Sequence, residues 1–202
     1  MSLLNNKSNY GLLSKLFHWL TAAGLIVQIP LGFYLVDLDF DQSRVDIENY
    51  HILFGLIIFY VTLIRLIFKL LTSSPDFKDN AFPGQKFLAK LNHFFLYFAL
   101  LSITISGIFK KLFNGESLFI FFKKINLTYN YEYSEQFYSI HILANYALIG
   151  LISLHILAVL FHKFFLRENP YESNWYFDKF WKFNFGINSV ILVRVSLSVI
   201  DV

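Results

Sequence analysis

The sequence predicts an all-α integral membrane protein, a four-helix bundle with both termini cytoplasmic. Three observations predict it. Of 202 residues, 56% are hydrophobic and only 15% are charged, whereas soluble domains average about 25% charged. The apolar residues gather into four stretches, each near or above the ~20 residues that cross ~30 Å of hydrocarbon. Lys and Arg in the connections alternate between dense and sparse, as they do when successive loops face opposite sides of a membrane.

The first span is expected over about 12–36 and contains Gln28 and Pro30, both tolerable where a helix faces a bundle interior. The second, about 48–71, carries Arg65 and Lys69 near its end, and the third covers about 89–110. The fourth, about 136–163, includes the longest charge-free run, from Gln136 to His162. It has hardly any polar face, which a helix of a soluble bundle requires. Twelve of the 17 Lys and Arg fall on the side of the N-terminus and five on the other, so the N-terminal side is read as cytoplasmic.

The first outer connection, VDLDFDQSRVDIEN, is short and acidic. The second, from about Phe113 to Ser134, holds the apolar run SLFIFF, too short to cross and read as an interfacial segment on the outer surface. The first 15 residues lack a small-residue cleavage site after a short apolar core, so no cleavable signal is expected. Residues 1–169 are thus one transmembrane domain. Residues 170–202 form a separate aromatic tail, which mixes Trp, Phe and Tyr with charges, as an interfacial segment does.

The absence of cysteine excludes disulfides, thiolate-held iron–sulfur clusters and covalent C-x-x-C-H haem attachment. Histidine is the remaining ligand type. His18, His51, His141 and His155 lie inside or at the mouths of apolar runs. Histidine in hydrocarbon is costly and usually faces a functional interior, and imidazole is an axial ligand of haem iron. Antiparallel spans put His51 and His141 alone on the outer side, so they pair if an outer haem exists.

Four histidines compete on the inner side: His18, His93, His155 and His162. His141 and His155 are fourteen residues apart, close to four helical turns, so they share a stripe at two depths about 21 Å apart. That spacing favours His155. His18 is taken as its partner, and His93 and His162 are left as residues beside the ligands or in a substrate site. Arg65 is also fourteen residues from His51 and could meet a haem propionate through charge-assisted hydrogen bonds. Gly55, one turn after His51, would allow close approach of a porphyrin.

Local motifs extend this picture. LFHWLTA in the first span, NYHILFG then LIRLIFKL in the second, NHFFLY then ITISG in the third, and IHILANYALIGLISLHILAVLFHKFFLREN in the fourth resemble the bacterial cytochrome b561 family. The wider group includes cytochrome b subunits of Ni/Fe-hydrogenases. The resemblance covers about residues 9–169, and its most specific element is the H-x13-H spacing of the fourth span. It implies two b haems between the helices, with His18 and His155 on the inner iron and His51 and His141 on the outer one. Histidines stand in the family pattern where His93 and His162 stand here, which implies a quinone or proton-handling site.

The resemblance also implies a multi-pass protein of the bacterial inner membrane that moves electrons between a donor and the quinone pool. One member type oxidises superoxide at the outer face and reduces ubiquinone. Two features depart from the family pattern: the acidic first outer loop, which does not attract an anion, and the aromatic tail. The competing reading is a haem-bearing membrane-anchor subunit of a larger dehydrogenase or hydrogenase. Both imply lipid, a quinone and a redox partner protein as partners, are compatible with a homo-oligomer, and involve no nucleic acid. A transporter is disfavoured by four spans without internal repeats.

Overall fold

The protein is described from a computed structural model, which describes residues 3–6, 9–72 and 84–164, with side chains given to residue 161. Four helices carry the chain across: α1 (Leu12–Asp37), α2 (Gln42–Leu71), α3 (Gln85–Phe113) and α4 (Tyr131–Phe164). All four are long and apolar enough to span a bilayer. Each begins earlier than or with its expected span. The difference is largest at α2, which starts six residues before the expected residue 48. There Asp41 acts as the N-cap and accepts the Arg44 amide at 3.0 Å. Such a cap satisfies an otherwise orphaned donor. Hydrogen bonds from the Ser43 hydroxyl and the Arg44 amide hold the Asp41 carboxyl below its ordinary pKa. The expected aromatic tail at 170–202 lies outside the described residues.

Helix α1 packs on α2, and α3 on α4. The shared core is thin and central. Ile58, Ala99, Leu100 and Leu148 are buried, with Leu25, Leu96, Ile103 and Leu151 against them. Leu148 has no exposed surface and lies seven residues from both His141 and His155, about 10 Å along the axis from each. Ile58 stands seven residues from both His51 and Arg65. A Cβ on Gly24 would lie 3.0 Å from Ile58, so a small residue sets the close approach of α1 to α2, as in membrane helix pairs generally. Elsewhere large apolar side chains point outward, such as Ile26 at 74% and Leu143 at 71% exposure. Lipid, not protein, is the medium such a surface fits.

An ionic tie closes the outer end. The buried Lys111 of α3 meets Glu48 of α2 at 2.9 Å and also binds Glu116, while Lys110 stands 3.8 Å from Glu48. Beyond it the chain forms a hairpin, β1 (Leu118–Ile120) antiparallel to β2 (Lys123–Ile125). This corrects the expectation of a surface-lying SLFIFF segment. Leu118 and Ile120 alternate inward against Leu112, with Ile52 and Ile108 beside them, and the hairpin reaches down the helices. Its tip is a two-residue turn of Phe121 and Phe122 with φ of 48° and 64°, a left-handed conformation usually left to Asn and Gly. Tyr60, well inside α2, compensates that strain: its hydroxyl accepts the Phe121 amide at 3.0 Å and its ring meets Phe121 at 5.3 Å. Backbone at membrane depth requires such a partner.

Removing one member of a buried ion pair strands the other. Lys111→Met should therefore destabilise the protein by about 1–3 kcal/mol, lowering its melting temperature in detergent. Lys110→Met, at a longer and more exposed contact, should leave the melting temperature nearly unchanged. Equal effects of the two substitutions would contradict the tie.

Candidate functional site

Every expected histidine with a described side chain faces another histidine. At the outer end, His51 of α2 and His141 of α4 have ring centroids 6.2 Å apart. At the inner end, His18 of α1 and His155 of α4 stand 6.4 Å apart. His93 of α3 joins the inner group at 5.6 Å from His155. His162 is on α4, but its side chain lies outside the described residues. One helix thus supplies a member of both pairs through its four-turn spacing.

The rings are held by small residues of the facing helices. A Cβ on Gly107 would lie 3.1 Å from both Cε1 and Nδ1 of His141, and one on Gly32 would lie 3.1 Å from Cε1 of His51. Helix α3 offers His141 more than space. The His141 Nδ1–H donates to the Ile103 carbonyl at 2.7 Å, and the Ser106 hydroxyl donates to the same carbonyl at 3.0 Å. Such a bond fixes the tautomer and leaves the Nε2 lone pair free for a metal. Gln28 ties α1 to the other ring's helix by donating to the His51 carbonyl at 2.8 Å. Among the described residues the buried Nδ1 of His51 and Oε1 of Gln28 have no hydrogen-bond partner. Gly55, expected to admit a porphyrin, instead makes room for Gln28: its Cβ would lie 3.3 Å from the amide nitrogen.

The inner end is cationic. Arg65 reaches His18, with Nη2 at 3.0 Å from Nδ1, and the Asn92 amide lies 3.4 Å from Nδ1 of His155. The Arg65 guanidinium and the Lys69 ammonium both lie over the Tyr97 ring, at 5.2 and 4.8 Å from its centroid.

These pairs can be tested against a bis-imidazole metal site. An imidazole nitrogen binds a metal at about 2 Å, so two rings on opposite sides of one metal have centroids roughly 6 Å apart. The 6.2 and 6.4 Å pairs fit. Among the described residues no three His, Cys, Asp or Glu gather to hold a bare ion. Paired imidazoles instead suit a planar group that brings its own equatorial ligands, which is what haem does. Composition did not single out Gly32, Asn92, Ser106, Gly107, Lys69 or Tyr97. The visible signal was a small pair, Ser106–Gly107, inside an apolar helix.

Comparison with known proteins places the chain in a family. The family model for prokaryotic cytochrome b561 matches residues 9–171. Cytochrome b561 homolog 2 of Escherichia coli (strain K12) is 27% identical over 122 residues, which is 60% of this chain and 65% of that protein. The chain therefore spans somewhat less than two thirds of the relative it matches. With four helices long and apolar enough to cross a membrane and a family match over most of its length, the chain belongs to the prokaryotic cytochrome b561 family, as a multi-pass protein of the bacterial inner membrane.

Proposed function

We propose that the protein holds two b haems, one between His51 and His141 and one between His18 and His155, and passes electrons through them between a donor and the quinone pool. The observation that carries this reading is the pair of opposed imidazoles at each end of the bundle, at 6.2 and 6.4 Å. When bound, haem supplies an iron that gains and loses one electron. The chain supplies everything else. At each end it offers one imidazole from each of two helices, which would leave no open position for oxygen. It excludes water with the apolar core around Leu148. It sets the basicity of His141 through the Ile103 carbonyl, a lever on potential.

The charge distribution of the sequence supports both termini on the cytoplasmic side. His93, beside His155 but outside the better-fitting pair, is the candidate contact for a quinone at the inner end. At the outer end Lys110 is partly exposed, and a small anionic reductant such as superoxide is the donor to test there.

The ligand assignment is tested by counting haem in purified variants. His51→Ala and His141→Ala should each lose about half of the haem, as should His18→Ala, read from the reduced b-type absorption bands. Retention of the full complement in any of the three would refute that assignment. The seat of His141 gives an independent check. Gly107→Val should cost the same haem as His141→Ala, because the added side chain meets the ring. Gly150→Ala should cost none, since a Cβ there meets nothing within 4 Å.

A further inference from the structure

The two ends of the bundle treat their cations differently. At the outer end Lys110 and Lys111 are answered by Glu48 and Glu116. At the inner end Arg65 and Lys69 sit one turn apart on the same face of α2, and their contacts are His18 and the Tyr97 ring. Among the described residues neither has a carboxylate partner. Like charges at this spacing repel, and cations at membrane depth ordinarily pair with an anion or with polar groups of the protein. Stacking on one aromatic face offsets part of that cost and supplies no counter-charge.

The contact between Arg65 and His18 adds a second constraint. Guanidinium nitrogens only donate, so at 3.0 Å the His18 Nδ1 accepts and the proton of the neutral ring is on Nε2. A ring that gives its Nε2 lone pair to a metal carries its proton on Nδ1. Two N–H groups would then face each other. Arg65 can therefore hold His18 or let it bind a metal, but not both.

We propose that Arg65 and Lys69, supported on the Tyr97 ring, form a seat for a pair of carboxylates, those of the haem at the His18 end, and that Arg65 leaves His18 to occupy it. The proposal rests on the haem assignment above and adds Lys69 and Tyr97 to the one cation expected from the sequence. In this structure Arg65 donates to the His18 Nδ1. With Arg65 turned to a carboxylate, the His18 Nδ1 would carry the ring proton and its Nε2 would be the atom able to hold an iron. Lys69 supplies the second charge, so the carboxylates are neutralised in pairs.

The test uses the full-length chain with His51→Ala, purified free of haem, so that the His18 end is the remaining site. It is titrated with haem and with haem dimethyl ester, whose carboxylates are masked. Haem should bind at least about tenfold more tightly than the ester, as expected for a charge-assisted hydrogen bond. Arg65→Met with Lys69→Met should abolish most of that preference. Lys69→Arg should keep it, and Lys69→Met alone should reduce it. Arg65→Met alone should bind the ester severalfold more tightly than the parent does, because nothing then competes for His18. An unchanged preference in the double variant would overturn the seat. An unchanged ester affinity in Arg65→Met would overturn the exchange. Binding of neither pigment would overturn the haem assignment itself, and the proposal with it.

Discussion

Imidazoles are costly in hydrocarbon, and the bundle is organised around bringing them into opposed pairs at two depths. Helix α4 sets the scale. Its His141 and His155 are separated by fourteen residues, so they project from one stripe about 21 Å apart. Helices α1 and α2 must then offer an opposing ring at each level, and they do so with His18 and His51. Between the levels the only demand is dry packing, met by Leu148, Ile58, Ala99 and Leu100. The thin core follows from this: the protein buries what separates the two sites and leaves its remaining apolar surface to lipid.

The levels differ in how the second nitrogen is satisfied. His141 donates to a backbone carbonyl, a partner that cannot leave without unwinding α3. His18 is met by Arg65, a long side chain that can move away. One end is thus fixed by backbone and glycine and the other by a mobile cation. The ionic tie of Lys111 to Glu48 and the hairpin held by Tyr60 brace the fixed end from outside. These features assign rigidity to the outer pair and adaptability to the inner one.

Much of this was legible in the sequence because lipid leaves so few choices. Four apolar runs had to be four helices, and antiparallel order alone put His51 opposite His141. The pairing of His18 with His155 rested on helical spacing and resemblance, and the structure brings those rings to 6.4 Å while keeping His93 close to His155. What was not legible depended on rotation about helix axes and on loop geometry. Gly55 and Gly107 look alike in sequence, yet one faces Gln28 and the other His141. SLFIFF reads as an interfacial run, but its alternation at Leu118 and Ile120 buries a hairpin. A run of six residues cannot show which way a chain turns after a helix, since the turn is set by Gly115 at φ 85° and by a tyrosine sixty residues away.

The central claim is that two opposed imidazole pairs each hold one haem. Its most direct test is the molar ratio of haem to polypeptide in the purified full-length protein, measured with the electron paramagnetic resonance spectrum of its oxidised form. Two haems per chain with two distinct six-coordinate low-spin signals are predicted. One haem per chain, or a high-spin five-coordinate signal from either site, would contradict it.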